Sequence, residues 1–164
     1  MAELTNLESK LGEVLGLAMA AQGATDKVQK LDDLDEQLKR RLQQMHDEAK
    51  ETEERVTAVA SGFEGKKTAI LDEARDVKQK ATEMMQDYLD RASDALDGFE
   101  FLTMAEAGEV GHWEILQKLN ERARHPELAE LCTWALPIQQ QHFETARAGS
   151  LKLAAAEDPN ETSG

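Results

Sequence analysis

The sequence predicts an all-α protein, a bundle of long helices, and three observations carry that expectation. Apolar residues make up 40% of the 164 positions, enough for one core, while aromatic residues are only 4% and prolines number three. That balance, rich in Ala, Leu, Glu, Lys and Gln, favours helices over strands. Apolar side chains recur at helical spacing along nearly the whole chain, and no strand-like alternation interrupts them.

The first helix carries Leu4, Leu7, Leu11, Val14, Leu15 and Ala18 on one face. Gly23 is its expected stop, with Thr25 or Asp26 capping the second helix. The second helix is expected over about 27–61. Leu31, Leu38, Met45, Thr52 and Val59 recur at sevens beside Leu42, Ala49, Val56 and Phe63, a repeat that packs helices at shallow angles. Gly62 and Gly65 end it. A third helix starts near Lys66, with Ile70, Ala74, Val77, Ala81, Met84 and Tyr88 as a narrow stripe. Ser93, Asp94, Asp97 and Gly98 mark a break before a fourth helix over about 99–123, with Phe99, Leu102, Trp113 and Leu116 inward. His125-Pro126 restarts the chain, since proline is tolerated in a first turn. The fifth helix runs to about Ala156, and Pro137 is expected to kink it. Residues 1–156 thus read as one domain and 157–164 as a solvated tail.

Charge and cysteine content narrow the function classes. The formal net charge is −14, from 19 basic and 33 acidic side chains. So acidic a surface repels phosphate and disfavours nucleic acid and anionic membranes. No apolar run approaches the length of a membrane span, and MAELTNLESK has none of the features of a secretion signal. The single cysteine, Cys132, excludes an intrachain disulfide and suits the reducing cytoplasm. It reads as a small buried hydrophobe. His46 and His125 read as surface and turn residues, and Met84-Met85 as core. No phosphate loop, CxxC pair or nucleophile elbow occurs.

The chemistry-bearing signal is polar groups inside apolar stripes. At about 100° per residue, Glu106 and Glu109 fall within the inward arc of the fourth helix and His112 near its edge. Gln139 and His142 fall within that of the fifth. Glu8 flanks the first stripe, Glu48 flanks the second, and Glu51 lies further round. A bare buried carboxylate costs several kcal/mol. Two arrangements offset that cost. One is a metal ion, because carboxylates and neutral imidazole are ligands for iron, manganese or zinc. The other is a satisfied polar pair or interface. Gly108 and Gly111 cost helix stability and point to close helix contact, within the fold or across a dimer.

The ordered set of segments resembles the ferritin-like bacterial proteins of the YciE/YciF type, over roughly residues 4–154. NLESKL at 6–11 is similar to the family's first-helix Asp-Ala-Glu-x-x-Leu. EAKETEERV at 48–56 is similar to His-Leu-x-Glu-Thr-x-x-Gln-Val. GHWEIL at 111–116 is similar to Glu-His-Tyr-Glu-Ile-Ala, matching at His112 and Glu114. KKTAILDEA at 66–74 and the final helix come in matching order. The resemblance implies a ferritin-like four-helix bundle with an additional helix, a homodimer, a stress-associated role and a di-iron or di-manganese centre. Its metal ligands would come from Glu8, Glu48, Glu51, Glu109, His112 and His142. The departures imply a weakened or lost centre and a protein without catalysis. Glu48 stands for a histidine, Arg55 for a glutamine and Gly111 for a glutamate. Ile138 and Gln139 stand where carboxylates belong, and Arg55 is positioned to reach the same cavity. An active di-metal oxidase and a coiled-coil adaptor are the rival expectations.

Overall fold

The computed structural model describes residues 2–91 and 93–162, and among these it is all-helical, with five helices and no strand. Of the expected tail, 163–164 lie outside the described residues. The helices are α1 (Asn6–Gln29), α2 (Glu36–Ala60), α3 (Lys67–Tyr88), α4 (Ala95–Ala123) and α5 (Pro126–Ala155).

Local chemistry sets most of these ends. The Thr5 hydroxyl accepts from Glu8 N–H while the Glu8 carboxylate accepts from Thr5 N–H, a reciprocal cap. Asp94 and Asp97 cap α4 in the same way, and Asp35 caps α2. Arg124, at φ 59°, turns the chain out of α4. The Asn120 side chain donates to His125 O and accepts from His125 N–H, which fixes that turn, and Pro126 opens α5 without losing a helical bond.

Three boundaries depart from the sequence expectation, and one of them is the start of α4, which begins at Ala95, four residues early, with Asp97 and Gly98 inside it. α1 does not stop at Gly23; it continues to Gln29. The turn beyond Gly23 buries Ala24, Thr25 and Val28, and that burial outweighs the roughly 1 kcal/mol a mid-helix glycine costs. Thr25 is accordingly not a cap, and its hydroxyl donates back to Ala21 O. The second helix begins nine residues later than expected, after Asp35. α5 runs through Pro137 without a break.

Each pair of neighbours can be read from contacts between helices. Gln22 meets Glu53 and Asp26 meets His46, so α1 and α2 run antiparallel. Asp35 meets Lys152 and Glu48 meets His142, so α2 and α5 do too. Thr103 meets Ser150, setting α4 against α5. Glu13 meets His112, setting α4 against α1. α1, α2, α5 and α4 therefore pack in cyclic order, each antiparallel to its neighbours. α3 lies outside this ring, parallel to α1 and seated on it. The seat is made by missing side chains: a methyl group added at Gly16 would lie 2.4 Å from the Ala74 carbonyl oxygen. Within the chain no close contact is made at Gly108 or Gly111, since a methyl group at either would meet nothing within 4 Å.

Two apolar clusters fill the interior. One gathers Leu11, Leu15, Val56, Ile70, Trp113 and Leu128. The other gathers Val28, Leu38, Leu42, Met45, Phe99 and Leu102. Cys132 is buried in the first as expected, and burial pushes its thiol up to about 11.

Candidate functional site: a polar layer between two cores

The two apolar clusters are separated by a layer of polar side chains. α2 places Thr52 there, between Met45 and Val56. α4 places Glu106 and Glu109, between Leu102 and Trp113. α5 places Gln139 and His142, between Ala135 and Ala146. All five are buried. On α4 and on α5 the two polar residues are three apart, so each pair shares one helix face. α1 passes the same level with Ala18 and Ala21, both buried and neither polar.

Gln139 bridges the two acids. With its amide nitrogen toward them it donates to Glu106 Oε2 at 3.1 Å and to Glu109 Oε2 at 3.2 Å. Burial raises both acids, Glu106 from its ordinary 4.5 to about 8. Glu109 lies well above 4.5, through burial first and the neighbouring Glu106 charge second. Two such groups side by side hold at least one proton at neutral pH.

His142 is held between two carboxyls without a hydrogen bond to either. Nδ1 lies 3.8 Å from Glu106 Oε2, and Nε2 lies 3.5 Å from Glu48 Oε1. Nε2 is buried and has no hydrogen-bond partner. Burial lowers the imidazole below 6.5, and the nearby Glu48 charge opposes that. Glu48 itself is partly open to solvent, at the outer edge of the layer.

Of the residues singled out in the sequence, Glu109, His142 and Glu48 come together, joined by Glu106 and Gln139. The other three lie outside this layer. Glu8 closes the N-terminus of α1 and lies 3.5 Å from Lys66 Nζ. Glu51 is half-exposed and pairs with Arg55 at 3.0 Å. His112 is partly exposed, with Nδ1 3.2 Å from Glu13 Oε2 and from Lys10 Nζ. Arg55 does not reach the interior: its guanidinium lies 4.2 Å from the Trp134 ring centroid, outside the ring of helices, where stacking on an indole outweighs burying a charge. Expected surface residues behave as such: His46 pairs with Asp26 and Asp47, and the His125 ring packs on Phe63.

A two-metal carboxylate site needs a glutamate from each of two helices and a Glu-x-x-His from each of the other two. The layer does not meet that requirement. α1 supplies alanines, α5 supplies an amide, and α2 supplies one carboxylate at the edge. Among the described residues no group of three or more His, Cys, Asp or Glu is arranged to hold a metal ion. No helix among them is long and apolar enough to cross a membrane. The chain matches no protein-family model, and no curated protein or solved structure is significantly similar to it.

Proposed function

We propose that this chain is a ferritin-like helical protein of the stress-associated type, cytoplasmic and homodimeric, whose interior layer is charge-balanced by protons instead of metal, and that it works by binding, without redox catalysis. Ring order and connectivity support the ferritin-like part. α1 and α2 form one antiparallel pair, α4 and α5 another, and the path between them is the single long connection that contains α3. One long crossover between two helical hairpins is the ferritin-like pattern.

The observation that carries the non-catalytic part is the composition of the layer. α1 brings only the buried alanines Ala18 and Ala21 to the level of the layer, and Gln139 uses its amide to bridge the acids. Without a second carboxylate pair there is nothing to hold two cations or to neutralise their charge.

Elemental analysis of natively purified protein, repeated after anaerobic loading with Fe(II) and with Mn(II), tests this. The expected result is no stoichiometric metal under any condition. Metal retained in stoichiometric amount, and lost in Glu109→Ala, would overturn the reading in favour of an active di-metal protein.

A further inference from the structure

α3 and α4 both flank α1 and converge at one end, where the Tyr88 and Phe101 rings lie 5.5 Å apart. Between them lies a cleft of about 290 Å³. Its base is built from small α1 residues, Ala20, Ala21 and Ala24. Its walls are Val77, Ala81 and Met85 from α3 and Ala105 and Gly108 from α4. The stripe expected to bury α3 only half does so: Ile70 and Ala74 are covered, but Met84 is 58% exposed at the cleft mouth, facing Met104 at 46%. Flexible methionines lining an apolar opening adapt to varied ligand shapes.

The inner end of this cleft is not apolar. Glu106 and Glu109, at 1% and 4% exposure, line it. Gln139 occupies Oε2 of each acid, and among the described residues no other hydrogen bond is made to either carboxyl. The cleft therefore combines an apolar body with two carboxyl groups at its inner end. The other charged or titratable groups lining it are Lys80 and His112.

We infer that the cleft between α3 and α4 is a binding site for a small apolar molecule bearing a cationic amine, its ring or chain against the alanines and methionines and its ammonium between Glu106 and Glu109. Charge selects the head group: the chain's net charge is −14, and an ammonium entering the acid pair releases a proton held there to water and pairs with the carboxylate left behind. Size selects the body. The cleft has roughly twice the volume of the ~150 Å³ engineered cavity that takes up benzene, which suits a bicyclic ring or a short alkyl chain. The inference rests on the acid pair being free of metal, which metal analysis of the same preparation reads separately.

Calorimetric titration with naphthylmethylammonium, against neutral naphthylmethanol of the same skeleton, tests the assignment on the full chain. The ammonium is expected to bind about tenfold or more tighter than the alcohol, the difference a charge-assisted hydrogen bond makes. Glu109→Gln should abolish that preference and leave alcohol binding in place. Gly108→Leu should remove both ligands; its side chain enters open space within the cleft, so the fold tolerates it. Equal binding of ammonium and alcohol would overturn the proposal. So would ammonium binding that survives both substitutions, which would mark non-specific attraction to an acidic surface. Failure of both ligands to bind, with a dimer that Gly108→Leu converts to monomer in sedimentation, would identify the cleft as an interface between copies and equally overturn it.

Discussion

Glu106 is the residue whose environment most constrains behaviour. Its carboxyl is fully interior and rises from 4.5 to about 8. Between those values the folded chain holds a proton that the unfolded chain releases. Stability contributed by this group is therefore complete below about pH 4.5 and is lost as pH rises through about 8. His142 acts in the opposite direction below 6.5, because its folded state prefers the neutral ring. Replacing Glu106 by Gln keeps shape and hydrogen-bonding capacity and removes the titration; Gln139 can turn its amide to match. Glu106→Gln is thus expected to melt closest to wild type near pH 4.5 and clearly higher near pH 8.5, by differential scanning calorimetry. A gap that stays flat across that range would show that Glu106 is not a buried proton holder. The inward placement of Glu106, Glu109, Gln139 and His142 is legible in the sequence because each lies within an apolar arc at a spacing of three. Less legible is the fate of residues at the margins of stripes. His112 rotates outward to Glu13 and Lys10. Glu8 turns to its own backbone, a fate that Thr5-x-x-Glu8 signals as a capping pattern. That α1 offers alanines to the layer can be read only once its register against α4 is known.

At the scale of helices, number and order come from apolar periodicity and from strong caps, and they are legible for that reason. Boundaries are less so, because a glycine marks both stops and close contacts and the sequence does not say which. Gly23 reads as a stop, yet α1 passes through it with nothing within 4 Å of where a side chain would begin. Gly16, with Gly12 one turn before it, instead brings α3 against the α1 backbone. The two positions should respond oppositely to alanine. Gly16→Ala forces a methyl group toward the Ala74 carbonyl, backbone that cannot swing aside, and is expected to destabilise by about 1–3 kcal/mol. Gly23→Ala gains helix propensity without a clash and is expected to stabilise by about 0.5–1 kcal/mol. Urea denaturation of both variants measures the pair. A Gly16→Ala variant as stable as wild type would mean that α3 is not seated as described.

For the molecule as a whole, the governing quantity is the excess of acid over base, 33 side chains against 19. Many exposed bases are already committed to local partners, as in Arg55–Glu51, Arg75–Asp72, Lys118–Glu121 and Arg147–Glu144. Exposed pairs of this kind contribute little, and the unmatched carboxylates repel one another across the whole surface. Folding gathers those charges, so the compact state bears more of the repulsion than the extended chain. Salt should relieve it. Raising ionic strength from about 0.01 M to about 0.15 M shortens the screening length from about 30 Å to about 8 Å, and the melting temperature near pH 7 is expected to rise. Glu106 is 1% exposed, so mobile ions screen it far less than they screen the surface, and most of the difference between wild type and Glu106→Gln should persist at the higher salt. Melting curves of both proteins at the two ionic strengths separate the global effect from the local one. If wild type melted lower in higher salt, favourable surface pairs would outweigh net repulsion. If the Glu106→Gln difference vanished there, the polar layer would be open to solvent and ions, and its acids would be ordinary surface carboxylates.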